Sequence, residues 1–246
     1  MSAPRLVLVF LIFFLWLCPP ILAQDNPIMY VPSTGPYKAN VGISYFPTAF
    51  SWSGTNVPNI TMSTWMLWGE AKLWPKVSAI LTYMNGRGSG DGTTLVLRDT
   101  ELGLKVPLNV SRIIEARGRP GGFPSESPVY GKVVWRSSQF SIDMAGAVSD
   151  FDYSGWGIGL GLDAMQDRIW SPYASVTYFP EFIRHNVSNP APNTLYYRPV
   201  WDYVAGLQYR MKENSAIHFA YRSHTGIGQG NTWIFNGLEV GISRKF

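Results

Sequence analysis

The sequence predicts an all-β fold, a transmembrane antiparallel up-and-down β-barrel of about twelve strands, with ten also possible. Apolar and polar residues alternate in segments of about ten residues, and turn residues separate these segments. Charged residues make up only 15% of the chain, whereas a soluble domain has roughly 25%. Since lipid cannot satisfy free backbone polar groups, such strands cross a bilayer only as a closed barrel. A secreted β-sandwich is the alternative.

The N-terminus has the features of a cleaved secretory signal peptide. One basic residue precedes an apolar run that ends at Cys18, and the small residue Ala23 follows at the expected cleavage site. The run is shorter than the roughly 20 residues that a membrane-spanning helix needs. We therefore predict a signal peptide at 1–23, a short periplasmic segment at 24–36 and a barrel at 37–246.

The predicted strands each have close to the roughly 9–11 residues that a tilted membrane strand requires. Alternation and turn residues place them at 37–46, 64–74, 77–85, 94–106, 110–117, 128–136, 140–149, 155–163, 170–181, 198–211, 215–223 and 235–246. Merging the weakest pair, around Val110, would give ten strands.

The predicted connections alternate between short and long, as in barrels with short periplasmic turns and long outer loops. This order places both chain ends on the periplasmic side. The short connections are 75–76, 107–109, 137–139, 164–169 and 212–214. The long ones are 47–63, 86–93, 118–127, 150–154, 182–197 and 224–234.

Aromatic residues fall near the predicted strand ends, where amphipathic rings favour the boundary between membrane and water. They are expected to form two girdles. The periplasmic girdle would contain Trp74, Trp135, Trp170, Tyr209 and Phe246, and the outer girdle Tyr45, Tyr83, Trp156, Tyr178, Tyr221 and Phe235.

The last predicted strand alternates strictly, with Leu238, Val240, Ile242 and Phe246 on one face, and it ends on an aromatic residue. It resembles the closing strand of Gram-negative outer-membrane β-barrel proteins. The resemblance implies export to the bacterial outer membrane and a role for Phe246 as the insertion signal that the barrel-assembly machinery recognises. The barrel would then lie in outer-membrane lipid and lipopolysaccharide, and we expect a monomer.

The polar phase of the strands predicts a charged lumen with equal numbers of both signs. Such charges imply either salt bridges across the lumen or opposed acidic and basic walls around a narrow pore. The candidate lumen-lining residues are Lys72, Glu101, Lys105, Lys132, Arg136, Asp143, Asp163, Asp202, Arg210, His218, Arg222 and Glu239. Gly157, Gly159 and Gly161 add a row without side chains, which would either curve the wall or leave a ligand groove.

The residue pattern predicts no catalytic, metal or cofactor site. Neither neighbour of His224 has the His-x-Ser spacing of outer-membrane lipid-modifying enzymes. His218 could lie near Glu239, but no nucleophile is placed beside them. The three histidines are too scattered for a metal site. There is also no phosphate loop, no dinucleotide fingerprint and no basic stripe that would bind nucleic acid.

Residues 98–106, Arg-Asp-Thr-Glu-Leu-Gly-Leu-Lys-Val, resemble a strand of uncharacterised outer-membrane proteins of the phenol meta-pathway group. This resemblance implies no substrate and no residue roles.

The sequence favours a small channel or uptake pore for low-molecular-weight solutes. One alternative is a non-conducting barrel that binds partners or stabilises the envelope, and a lumen closed by salt bridges would distinguish it from a pore. The other is a lipid-modifying enzyme, for which His218→Ala or His224→Ala should abolish release of fatty acid.

Overall fold

Ten long antiparallel strands close into a barrel in the computed structural model, which describes residues 38–53, 57–74, 76–108, 129–163, 169–185, 196–197, 199–212, 214–227 and 232–246. The elements are β1 Ala39–Ser53, β2 Ile60–Trp74, β3 Val77–Gly90, β4 Thr93–Pro107, β5 Val129–Met144, β6 Ala147–Leu162, β7 Trp170–Phe179, β8 Phe182–His185, β9 Tyr196–Tyr197, β10 Val200–Lys212, β11 Ser215–Ile227 and β12 Thr232–Lys245. Within these residues, no helix is long and apolar enough to span a membrane. The predicted signal peptide, the segment 24–36 and the predicted strand 110–117 lie outside the described residues.

The wall is closed by pairing of the first strand with the last. β1 and β12 are antiparallel from Asn40, opposite Lys245, to Ser53, opposite Thr232. The closure reaches the final residue, because the Phe246 carbonyl accepts hydrogen bonds from the N–H groups of Lys38 and Ala39 at 2.7 and 3.2 Å. The predicted all-β antiparallel barrel is confirmed, with the smaller of the two strand counts.

The short elements β8 and β9 extend two of the ten strands. Val200 of β10 lies opposite Phe179 of β7, and Tyr197 of β9 lies opposite Phe182 of β8, so the register is the same on both sides of the break. β8 also pairs with β6, one residue out of step with the β6–β7 register. The break is therefore a local irregularity in a single hairpin.

The predicted strand boundaries are wrong between residues 128 and 163. The expected turn at 137–139 lies inside β5, and the expected loop at 150–154 lies inside β6. The Ser-Ser-Gln sequence continues the strand because its side chains alternate between the inside and the outside of the barrel. Ser138 is buried and donates to Asp99 at 3.0 Å, whereas Gln139 is exposed. The actual turn is Ala145-Gly146, and it joins two strands of sixteen residues.

Short and long connections do not alternate as predicted. We call the end of the barrel that carries the chain termini the terminal end, and the opposite end the outer end. The long connection after β4 joins strands at the terminal end, while the outer end has tight turns at Asp91-Gly92 and Ala145-Gly146. The strands contain glycine and serine because a lumen filled with large side chains needs small residues in its wall. The sequence pattern predicts loops at these residues.

Both tight turns have positive φ at their two central residues, 48° and 74° at Asp91-Gly92 and 52° and 90° at Ala145-Gly146. This is the geometry of a two-residue hairpin turn whose twist matches that of the strands. Aspartate tolerates this backbone region, but alanine is strained in it.

We expect Ala145→Asn to stabilise the barrel by about 0.5–1 kcal/mol, because asparagine adopts positive φ more readily than alanine. The matched control is Asp91→Asn, which should change stability little since aspartate already tolerates its turn. Urea unfolding of refolded protein in detergent micelles would measure both. A destabilising effect of Ala145→Asn would contradict the turn geometry.

The apolar face of the strands changes sides along the barrel. On β2, outward-facing Trp65 is followed towards the outer end by Ser63 and Thr61, while the inward face runs from Glu70 through Met66 to Met62. The half nearer the terminal end therefore has an apolar outside and a polar inside, as a membrane barrel requires. The outer half has a polar outside and an apolar inside, like a small water-soluble β-barrel.

The two expected aromatic girdles each differ at one position. Trp135 was assigned to the periplasmic side, but it lies directly opposite Trp156 of β6. Phe235 is only 6% exposed and packs inside the barrel. The error at Trp135 follows from the misplaced strand boundary, which gave the residue the wrong height. Phe235 has the opposite phase to Leu238, Val240 and Ile242, so strand alternation directs it inward.

Candidate functional site

Arg136 lies at the centre of the lumen and is 1% exposed. The alternation of β5 directs it inward, between the inward-facing Val134 and Ser138. Its Nε atom lies 3.3 Å from Asp99, and its Nη2 atom lies 3.2 Å from both Glu101 and Asp202. One guanidinium group therefore holds three buried carboxylates.

Two further cations complete a charged layer at this height. Lys132 pairs with Glu101 at 3.3 Å, and Arg222 donates from Nε to Glu239 at 3.3 Å. The layer consists of Asp99, Glu101, Lys132, Arg136, Asp202, Arg222 and Glu239. Its members come from β4, β5, β10, β11 and β12, which lie on opposite sides of the ring. The Arg136–Asp202 pair joins β5 to β10 and so crosses the lumen, whereas the pairs with Asp99, Glu101 and Glu239 join neighbouring strands.

His224 contacts the charged layer from β11. The Nη1 atom of Arg136 lies 2.7 Å from Nδ1 of His224. Because arginine only donates hydrogen bonds, Nδ1 is the acceptor and the ring hydrogen is on Nε2. A cavity of about 20 Å³ lies beside this contact, between residues that include Asp99, Arg222 and Phe140. Its volume corresponds to about one water molecule.

An apolar cluster fills the barrel on the outer side of the charged layer. We call it the outer cluster, and its buried members are Phe50, Ile60, Met62, Leu95, Leu97, Val134, Phe140, Ile142, Tyr153, Phe179, Phe182, Val200, Trp233 and Phe235. The Phe140 ring lies 5.3–5.8 Å from the rings of Tyr153, Trp233 and Phe235. Trp233 also lies 4.8 Å from the His224 ring. The outer cluster thus covers the charged layer directly.

His218 and Ser243 form a buried pair on the other side of the charged layer. The His218 Nε2 atom lies 2.5 Å from the Ser243 hydroxyl oxygen. The imidazole ring packs edge-on near Trp68 and Tyr173, at 5.4 and 5.9 Å. The Glu239 carboxylate, which could have oriented this histidine, is instead bound by Arg222. The pair has a base and a hydroxyl group, but Glu239 does not complete a triad.

A second ionic group lies near the terminal end. Lys105 bridges Glu70 and Asp163 at 2.8 and 2.7 Å, and its ammonium group lies 4.4 Å from the centre of the Tyr130 ring. These residues come from β2, β4, β5 and the position directly after β6, so this group links strands that are not neighbours along one side of the wall.

The glycine row of β6 is occupied by side chains from neighbouring strands. A methyl group added at Gly157 would meet the Phe179 ring, and one added at Gly161 would meet the Tyr130 ring. One added at Gly159 would meet the backbone carbonyl oxygen of Val176 and the Lys132 side chain. The row therefore makes room for residues that fill the lumen, which is neither of the two uses that the sequence suggested.

Most of the twelve candidate lumen residues belong to these groups, but Asp143 does not. It alternates with buried Ile142 at the outer tip of β5, and its carboxylate accepts a hydrogen bond from the Gly146 N–H at 2.9 Å. Its predicted inward position depended on the misplaced strand 140–149. Lys72 and Arg210 lie half-buried on β2 and β10, towards the terminal end.

Sequence reasoning missed three contributors to the lumen. His224 shares the phase of Arg222, two residues before it, and this spacing could have identified it. Ser243 shares the inward phase of Glu239, but no sequence pattern distinguishes it from the other serine residues in strands. The outer cluster was missed in part because some of its members, such as Phe50, Ile60 and Met62, fall within predicted loops.

Comparison with known proteins identifies the fold. No family model and no curated protein matches the chain. Among solved structures, the outer-membrane protease OmpT from Escherichia coli aligns with a TM-score of 0.54 at 10% identity, over 88% of this chain and 99% of that one. Neisserial surface protein A aligns with a TM-score of 0.44 at 13% identity, over 85% and 97%. The β-domain of the Bordetella autotransporter BrkA aligns with a TM-score of 0.46 at 11% identity, over 85% and 100%.

Proposed function

We propose that this chain, which has the fold of Gram-negative outer-membrane β-barrels, is a non-conducting barrel of the outer membrane that binds partners or stabilises the envelope through its projecting outer end. The closed lumen is the observation that carries the proposal. Salt bridges across the lumen distinguish this function from that of a pore, and Arg136 of β5 makes such a bridge to Asp202 of β10, three strands away around the wall.

Two consecutive barriers oppose the passage of a solute. The outer cluster has aromatic rings in contact, with Val200 and Phe182 fully buried at its edge. The charged layer follows immediately, and moving Arg136 aside would leave three buried carboxylates without their shared cation. A pathway would have to break both barriers together.

The outer half supports the second part of the proposal. Its inside is packed and its outside is polar, so the strands beyond the bilayer form a rigid support for the exposed turns. Asp91 and Gly92 are exposed at one of these turns. Rigid elements hold a binding surface with little loss of entropy when a partner binds.

Single-channel conductance in a planar lipid bilayer tests the closed lumen. We expect refolded residues 24–246 to show no discrete conductance steps. The experiment needs proof of insertion, which heat-dependent electrophoretic mobility and a conducting barrel added to the same bilayer would provide. Reproducible steps from inserted protein would overturn the proposal and restore the solute pore.

A further inference from the structure

We infer that Arg87 and Arg98 form a binding site on the outside of the wall for the phosphate group of a lipid in the leaflet at the outer end. Both side chains are exposed. They lie on neighbouring strands, since Arg98 of β4 is opposite Asn85 of β3, two residues from Arg87. Diagonal neighbours of this kind are about 7–8 Å apart and lie within reach of each other's long side chains.

Both arginines face away from the lumen. Gly86 and Gly88 on either side of Arg87 are on the inward face of β3, and Leu97 and Asp99 on either side of Arg98 are buried. The two guanidinium groups therefore face the surroundings of the barrel. Arginine suits this position because its planar fork binds phosphate oxygens through two hydrogen bonds.

The height of the pair matches the lipid headgroups. On β3 the outward face runs from Leu81, 48% exposed, through Tyr83, 38% exposed, to Asn85 and then Arg87. The apolar belt therefore ends at Tyr83. Arg98 lies at the level of Asn85, which is two residues beyond Tyr83 and therefore about 7 Å further along the strand. The headgroup region extends roughly 5–8 Å beyond the hydrocarbon.

No acidic side chain neutralises the pair on this side of the described wall. The nearest acidic residues are Asp152, two strands from Arg98, Asp150, two residues further along the same strand, and Asp91 and Asp143 at the hairpin tips. Strand spacing and rise place their Cα atoms roughly 10 Å or more from those of the two arginines. The residues directly beside Arg98 in register are the uncharged Asn85 and Gln139, whose amides can donate to phosphate oxygens. An anionic headgroup would supply the missing charge.

Lipid binding to the refolded barrel in zwitterionic detergent tests the site. The probes are bisphosphorylated lipid A and the same lipid without its phosphates, and native mass spectrometry gives each affinity. We expect the barrel to bind the phosphorylated lipid roughly tenfold to thirtyfold more tightly, which is the gain in affinity that two basic residues give near an anionic surface. The double variant Arg87→Gln/Arg98→Gln should lose most of this preference.

Matched variants separate the site from general attraction to charge. Arg244→Gln removes an exposed outward cation at the terminal end and should leave the preference intact. Arg87→Lys/Arg98→Lys should retain part of it, because the charge remains while the forked geometry is lost. Equal affinity of the wild type for both lipids, or an unchanged preference in the double glutamine variant, would overturn the inference. Neither result depends on whether the lumen conducts.

Discussion

Replacement of Arg136 by alanine should lower the free energy of unfolding by about 3–5 kcal/mol, the usual cost of removing one partner from a buried ionic group. The physical reason is the charge that remains. Asp99, Glu101 and Asp202 are each no more than 5% exposed, and the guanidinium group lies within 3.3 Å of all three. Urea unfolding and refolding in detergent micelles measures the difference.

Two companion variants show whether the loss comes from the uncompensated carboxylates. Arg98→Ala removes an exposed arginine from the neighbouring strand and should change stability by less than about 0.5 kcal/mol. Adding Asp202→Asn to Arg136→Ala removes one of the orphaned charges and should recover part of the loss. If Arg136→Ala cost no more than Arg98→Ala, the proposed closure by the charged layer would be wrong.

The charged layer was partly predictable because side-chain direction in a strand has a period of two residues. Where the strand boundaries were nearly correct, as in β4, β10, β11 and β12, the inward phase predicts lumen positions for Glu101, Asp202, Arg222 and Glu239, and the structure has these residues in ion pairs inside the barrel. The pairing between them could not be predicted. A cross-lumen contact such as Arg136 with Asp202 depends on strand register and barrel size, which sequence periodicity does not contain.

The outer half of the barrel was hidden from sequence reasoning for a different reason. A membrane strand is recognised by an apolar face directed at lipid, and this face ends near Tyr45, Trp65 and Tyr83. Beyond them the apolar residues move to the inward face, so the pattern is that of a soluble strand. Residues such as Phe50, Ile60 and Met62 were therefore assigned to a loop, although each is at most 2% exposed. Such a strand can be recognised only by two alternation patterns in succession, one with an apolar outward face and one with an apolar inward face.

This change of surroundings leads to the second large expected effect, the loss of stability in Phe140→Ala. Phe140 contacts three aromatic rings inside the outer cluster, so its truncation removes the transfer free energy of the ring and also leaves a cavity. We expect a loss of about 3–5 kcal/mol.

The matched variant is Phe219→Ala, which truncates a 43% exposed ring on the outward face of β11. Detergent or lipid chains can fill the space it leaves, so its cost should be limited to a transfer term of roughly 2 kcal/mol. Urea unfolding of both variants in the same micelles gives the comparison. Equal losses at the two positions would mean that Phe140 is not packed in a closed apolar interior, and the first of the two barriers in the lumen would then be absent.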